Sequence, residues 1–129
     1  MLSKAAATPT LPVVDLDRAR KFYEGKLGLK VVEEDPSQGL MVECGKCTNL
    51  YLYKRAATKA DHTVVSFEVD DIETEVSELK KRGITFEEYD IPSMGIKTVN
   101  GIASMNGERA AWFKDTEGNI LSVGQWTKK

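Results

Sequence analysis

One pattern of residues occurs twice along the chain, and no other feature limits its fold as strongly. Each copy runs from a β-rich segment through an acidic helix start and an amphipathic helix to a glycine and a second β segment. The helix starts, Leu16 and Ile72, lie 56 residues apart, and the glycines that follow the helices, Gly28 and Gly83, lie 55 residues apart. Two matched units of this kind predict a duplicated supersecondary structure, since two copies are too few for a solenoid.

The residue chemistry of each copy predicts where its helix begins and ends. Asp15 or Asp17 can cap the first helix and Asp70 or Asp71 the second, because a carboxylate accepts hydrogen bonds from the free amides of a helix start. The two glycines named above can adopt the left-handed conformation that ends a helix. Apolar residues recur at helical spacing in both segments, at Leu16, Ala19, Tyr23 and Leu27 and at Ile72, Val76 and Leu79.

Alternating or β-forming residues predict strands in most of the remaining chain. These strands are residues 29–34, 40–44, 49–53, 85–89, 102–105, 109–113 and 119–124. Asn106-Gly107 predicts a hairpin turn, residues 56–61 a linker, and residues 90–101 a longer loop that would serve as a lid.

The elements together predict an α+β fold. It consists of two tandem βαβββ modules, about residues 7–54 and 62–125, within a single domain of residues 1–129. The modules are expected to form curved, mostly antiparallel sheets, because their strands follow one another through short turns.

The composition is that of an ordinary globular protein and excludes several classes of function. Hydrophobic residues make up 41% and charged residues 29% of the 129 residues, with a net charge of −2. No basic block favours nucleic acid, and no apolar run approaches the roughly 20 residues that span a bilayer. The start of the sequence lacks a signal-peptide pattern and two cysteines cannot form a disulfide framework, so we expect a cytoplasmic protein.

Three stretches of the sequence are distinctive in combination. They are Leu11-Pro-Val-Val-Asp-Leu-Asp-Arg-Ala-Arg-Lys-Phe-Tyr with Leu27-Gly-Leu, Phe67-Glu-Val-Asp-Asp-Ile-Glu, and Trp112-Phe-Lys-Asp-Thr-Glu-Gly-Asn-Ile-Leu. In this order, and over about residues 7–125, the chain resembles the vicinal oxygen chelate superfamily, which includes glyoxalase I and the bleomycin-resistance proteins. The superfamily contains isomerases, dioxygenases, thiol transferases and non-catalytic binders, so the resemblance implies a fold and leaves the function to the site residues.

The resemblance also implies where a divalent cation would be held. In catalytic members, His and Glu side chains near the module starts and on the last strands bind the metal. The matching positions here are Thr8, Tyr51, Val64 and Ser122. None of these side chains is a good ligand for such a cation at neutral pH. We therefore expect neither a metal ion nor another cofactor.

His62, the single histidine, is the basis of an alternative hypothesis. It lies two residues before Val64 and so on the same face of a strand. A two-residue slip would bring it to the ligand position, with Glu43 and Glu68 as available acids, but would misalign the stretch that begins at Phe67. The alternative is thus a glyoxalase- or dioxygenase-like metalloenzyme with an atypical site near His62. The simpler interpretation is a histidine at a strand start, near solvent or a pocket rim.

Cys44 and Cys47 form a Cys-Gly-Lys-Cys motif. Thioredoxin-type chemistry uses such a motif at a helix N-terminus, whereas here it spans a predicted Gly45-Lys46 hairpin turn. Two thiolates alone cannot complete a tetrahedral zinc site. The favoured interpretation is a pair of small hydrophobic residues, with a redox or adventitious metal role as the alternative.

Hydroxyl and aromatic side chains at and around the family's ligand positions predict a pocket for a small organic molecule. The predicted lining residues are Thr8, Thr10, Tyr51, Tyr53, His62, Val64, Trp112 and Ser122. The alternative is that the aromatic residues fill the sheet core. The favoured function is metal-independent binding of a partly aromatic molecule, similar to bleomycin-resistance proteins, and no catalytic residue is predicted. An accessory domain acting through protein contacts is a third hypothesis, and exposed sheet edges predict a homodimer.

Overall fold

The computed structural model describes residues 1–105 and 107–126 and divides into two compact units, Met1–Thr58 and Lys59–Lys129. One predicted module falls within each unit. The described residues form two mixed sheets, one of four strands and one of six, and two main helices. This architecture confirms the predicted α+β class. No helix within residues 1–105 or 107–126 is long and apolar enough to cross a membrane.

The first unit is a four-stranded sheet with a helix on one face. Its strand order is β1-β4-β3-β2, in which β1 runs parallel to β4 and the other neighbours are antiparallel. Leu11, Val42 and Leu52 point toward the helix and are buried. The elements are β1 (Thr10–Val13), α1 (Leu16–Arg20, continued by a π-helical turn Lys21–Lys26), β2 (Lys30–Asp35), β3 (Gly39–Glu43) and β4 (Asn49–Lys54), with 3₁₀ turns at Leu2–Lys4 and Gly45–Cys47.

The second unit repeats this plan and extends it. Its strand order is β5-β10-β9-β8-β7-β6, in which β5 runs parallel to β10. The elements are β5 (Thr63–Glu68), α2 (Ile72–Lys81), β6 (Asp90–Ile91), a 3₁₀ turn Pro92–Met94, β7 (Ile96–Val99), β8 (Ile102–Met105), β9 (Glu108–Lys114) and β10 (Ile120–Trp126).

The helix boundaries follow the predicted caps. The Asp15 carboxylate accepts a hydrogen bond of 3.0 Å from the backbone N–H of Arg18, and the Asp71 carboxylate accepts one of 3.3 Å from that of Thr74. Of the two alternatives in each copy, the residue directly before the helix is therefore the cap. Both glycines that follow the helices have left-handed backbones, with φ of 73° at Gly28 and 93° at Gly83.

Two predicted elements of the second unit are wrong. Residues 85–89 form no full strand, because β8 already pairs with residues 108–111 of β9 and leaves only an isolated bridge from Phe86 to Phe113. Residues 90–101 are not a lid loop but the hairpin β6–β7, which continues the sheet beyond β8. Asn100 and Gly101, both with positive φ, form a tight turn of the type that an Asn-Gly pair favours. Asn106, part of the predicted Asn106-Gly107 hairpin turn, lies outside the described residues.

Candidate ligand-binding site

Three rows of side chains cross β5, β10, β9 and β8 on one face of the second sheet. Directly paired residues point to the same face of a sheet, so the strand register defines the rows. They are Ser66–Ser122–Trp112, Glu68–Gly124–Ala110 and Trp126–Glu108–Met105. We call these nine residues the tryptophan face. All nine line a single pocket of about 360 Å³, and because two of them, Trp112 and Ser122, are predicted site residues, we take this surface as the candidate site of the second unit.

The opposite face of the same strands is occupied by the core. Phe113, Leu121 and Val123 alternate with the tryptophan-face residues and are buried. Helix α2 contacts β9 and β10 and contributes buried Val76 and Leu79. This packing fixes the register of β9 and β10, because a shift by one residue would bring the pocket side chains into the core.

Two serine hydroxyls meet in the first row of the tryptophan face. Ser66 Oγ and Ser122 Oγ are 2.6 Å apart, and Ser122 is only 5% exposed. The register of β5 against β10 shifts between Ile120 and Leu121, so that Val64 has no direct partner in the ladder and Ser66 stands opposite Ser122. Val64 does not line the pocket, and Ser66 is the residue that the sequence analysis missed.

The two tryptophans supply ring surface in different ways. Trp112 contacts Tyr89 edge to face, with ring centroids 5.4 Å apart. The Trp126 ring lies over Gly124, since a Cβ atom at Gly124 would be 3.0 Å from Trp126 Cζ3. Trp126 is nevertheless 44% exposed. It was also missed, although the alternation Ser122, Gly124, Trp126 continues the pattern of the predicted strand by two residues.

The first unit carries the other predicted site residues on the helix-free face of its sheet. Thr10 pairs with Tyr51 and Pro12 with Tyr53, so the two tyrosines share this face. The Tyr51 ring covers Gly39, where a Cβ atom would be 2.5 Å from both the Tyr51 hydroxyl oxygen and the Leu52 carbonyl oxygen. The Thr10 hydroxyl donates to the carbonyl of Thr8 at 3.1 Å. Thr8 itself precedes β1 and is exposed.

His62 lies before β5 and points into solvent. Its side chain is 72% exposed, and its Nδ1 is 3.1 Å from Asp61 Oδ1. The hydrogen bond from His62 lowers the pKa of the Asp61 carboxyl below its usual value. His62 does not line the tryptophan-face pocket, so the structure does not bring it together with Ser122 and Trp112.

The donor chemistry of the site does not fit a resident metal ion. Serine hydroxyls are neutral at physiological pH and are poor ligands for transition metals. Within the part of the chain that the structure describes, no three His, Cys, Asp or Glu side chains form a group that could hold an ion. No step through a bound metal is therefore derived for this chain.

The cysteine motif lies in the tight turn Gly45–Cys47 between β3 and β4, as predicted. Lys46 and Cys47 both have left-handed backbones, with φ of 55° and 63°. Cys44 is partly buried and Cys47 is exposed. Burial, with a smaller effect of Glu43, raises the pKa of the Cys44 thiol. A raised pKa disfavours the reactive thiolate, unlike the lowered pKa of thioredoxin-type motifs.

Several solved structures share this fold. TnmS3, an antibiotic binding protein from Streptomyces sp. CB03234, is 20% identical, with 95% of this chain and 97% of that chain covered and a TM-score of 0.70. A glyoxalase family protein from Enterococcus faecalis is 18% identical, with 96% and 99% covered and a TM-score of 0.72. Lactoylglutathione lyase from Agrobacterium tumefaciens is 27% identical, with 95% and 93% covered and a TM-score of 0.66.

A comparison with curated proteins gave no match. A family model described as Glyoxalase/Bleomycin resistance protein/Dioxygenase superfamily matches residues 6–123. This stretch includes the first βαβββ module, all but the last residues of the second, and every tryptophan-face residue except Gly124 and Trp126. The chain therefore belongs to the Glyoxalase/Bleomycin resistance protein/Dioxygenase superfamily.

Proposed function

We propose that the protein binds a small, planar, partly aromatic organic molecule on the tryptophan face without a metal ion. The observation that carries the proposal is the combination of two tryptophan rings and a serine hydroxyl pair in one pocket. Aromatic rings offer large contact area for a planar ligand, and hydroxyls can hydrogen-bond a carbonyl or an amine. Pockets with mostly apolar walls and a few convergent polar groups are typical of small-molecule sites.

The side chains of the pocket favour binding over turnover. The described residues that line the pocket include no histidine and no cysteine, the side chains that most often act as catalytic base or nucleophile. Relatives with the same fold include an antibiotic binding protein and a lactoylglutathione lyase. The fold thus accommodates both kinds of function, and the chemistry of the tryptophan face supports the first.

Tryptophan fluorescence tests this proposal directly, because both tryptophans of the chain line the pocket. A saturable change in emission is expected with at least one member of a panel of planar aromatic compounds. The Trp112→Phe and Trp126→Phe variants keep an aromatic ring and assign the signal to one side chain. Equilibrium dialysis with the same compounds provides an independent measure of binding.

Tyr51 is a predicted ligand-binding residue of the first unit, and the Tyr51→Ala variant tests that prediction by itself. Weaker binding by this variant, with unchanged thermal stability, would assign Tyr51 to the ligand. The proposal is contradicted if no compound gives saturable binding by either method.

Divalent metals are expected to leave the melting temperature unchanged. A ligand that binds only the native state must stabilise it by mass action, and the Thr8, Tyr51, Val64 and Ser122 positions offer no suitable donor set. Thermal unfolding with added nickel, zinc, iron or manganese checks this expectation. An increase in melting temperature that His62→Ala abolishes would instead support the metalloenzyme alternative.

We further propose that the protein is a homodimer. Strands β2 and β6 end their sheets in the described part of the chain, and Val32 on β2 is exposed. Unpaired strand edges are commonly covered by association, and two-fold dimers are the commonest oligomers. Light scattering is expected to give about twice the 14.3 kDa of one chain. A mass of one chain at micromolar concentration would contradict the dimer.

A cytoplasmic location is also proposed. Both cysteines are free, and Cys47 is exposed. Free exposed thiols are compatible with a reducing compartment. Fractionation of cells that produce the protein tests the location.

A further inference from the structure

The tryptophan face carries two carboxylates. None of the described residues that line its pocket is basic. Glu68 lies beside Gly124 in the second row, and Glu108 lies beside Trp126 in the third. Both side chains are exposed, and neither forms an ion pair with a described residue. Lys114 lies on the same face of the sheet, two residues beyond Trp112 on β9, and does not line the pocket. The described side chains that line the pocket therefore carry two negative formal charges and no positive one.

The two carboxylates of the tryptophan face lie on different strands. Glu68 and Glu108 lie on the two strands that flank β10 and are offset by two residues along them. Ordinary strand spacing separates their Cα atoms by roughly 12 Å. Glu68 and Glu108 thus lie on the two strands that flank Trp126, where they would stand on either side of a molecule of two or three fused rings.

The tryptophan rings favour the same sign of charge. The face of an indole ring is electronegative, and it attracts a cation more strongly than the faces of the other aromatic side chains do. The hydroxyls of Ser66 and Ser122, 2.6 Å apart, offer lone pairs to an N–H donor. The rings and the carboxylates of this surface thus both favour a positively charged ligand, and the hydroxyls can accept a hydrogen bond from its N–H group.

We propose that the ligand of this pocket is a planar aromatic cation, a fused ring system that bears a protonated or quaternary nitrogen. This inference rests on the proposed function and specifies the class of its ligand. An anionic aromatic molecule would meet two like charges, and a neutral one would leave both carboxylates without a partner.

Three tricyclic probes of similar size and different charge test the inference. Proflavine is a cation at neutral pH, acridone is neutral, and anthracenecarboxylate is an anion. Equilibrium dialysis is expected to show that proflavine binds at least about tenfold more tightly than acridone, with no detectable binding of the anion. Added salt is expected to reduce this difference, because it screens exposed charges.

Charge-removing variants locate the effect on the tryptophan face. Glu68→Gln and Glu108→Gln are each expected to weaken proflavine binding about threefold, and the double variant about tenfold, with acridone binding unchanged. Glu75→Gln is the matched control, since Glu75 is an exposed carboxylate on α2 and lies outside the pocket. It is expected to leave all affinities unchanged.

The outcomes separate this inference from the proposed function. If acridone or the anion binds as tightly as proflavine, with tryptophan quenching, then the pocket binds planar molecules and the inference about charge is wrong. If proflavine is preferred but the two glutamine variants behave like the control, the assignment to Glu68 and Glu108 is wrong. If none of the three probes binds, the proposed function fails for this class of molecule and the inference fails with it.

Discussion

Replacing Gly39 with alanine is expected to lower the free energy of unfolding by about 1–3 kcal/mol. The added Cβ atom would be 2.5 Å from the carbonyl oxygen of Leu52, a backbone atom of the neighbouring strand that cannot move aside alone. It would also meet the Tyr51 ring, at 2.6 Å from Cζ. Since Gly39 has no positive φ, the cost is steric and does not come from backbone strain. Chemical denaturation of the variant measures the change.

Gly25→Ala is the matched control for this experiment. No atom lies within 4 Å of a Cβ atom at Gly25, which is helical, so alanine there is expected to be neutral or slightly stabilising. The double variant Gly39→Ala/Tyr51→Ala lacks the ring contacts and keeps the contact with Leu52. It should therefore recover part of the free energy of unfolding that Gly39→Ala alone loses. Equal stability of the Gly39 and Gly25 variants would contradict the close approach of the Leu52 carbonyl oxygen to Gly39.

Replacing Gly124 with valine is expected to weaken ligand binding about tenfold and to change the emission of Trp126. The Trp126 ring occupies the space above Gly124, with Cζ3 3.0 Å from the position of a Cβ atom. A valine must displace the ring, because its methyl groups extend further than Cβ. Loss of a well-oriented aromatic contact costs about 0.5–1.5 kcal/mol beyond the buried area, and the new side chain also reduces the pocket volume.

Fluorescence titration of the Gly124→Val variant checks this expectation. Gly45→Ala is the control, since a Cβ atom at Gly45 meets no atom within 4 Å and Gly45 lies in the turn of the cysteine motif. Thermal unfolding establishes that both variants are folded. Unchanged affinity and emission in the Gly124 variant would contradict the proposed position of the Trp126 ring and its part in binding.

The sequence predicted those features that depend on residues close together in the chain. Asp15 and Asp71 cap helices through hydrogen bonds to residues three positions further on, and Gly28 and Gly83 end them through their own backbone conformation. The duplicated pattern and the family stretches were enough to predict the α+β class. The Asn100-Gly101 turn was an equally local signal, but the glycine- and proline-containing stretch around it was interpreted as a loop.

The candidate site required information that no local pattern contains. Ser122 was predicted as a site residue, but its partner Ser66 follows from a register shift between β5 and β10, strands that lie more than fifty residues apart in sequence. Alternation along one strand shows which residues share a face, and it does not show which residues of other strands stand beside them.

The sequence by itself thus determined the two helices, the glycines that end them and the α+β class. Only the tertiary structure decided that Glu68, Glu108, Trp112 and Trp126 share one face of the second sheet with the serine pair. The physical reason is that capping and helix termination act within a few residues, whereas a pocket on a sheet is assembled by hydrogen-bonded pairing between distant strands.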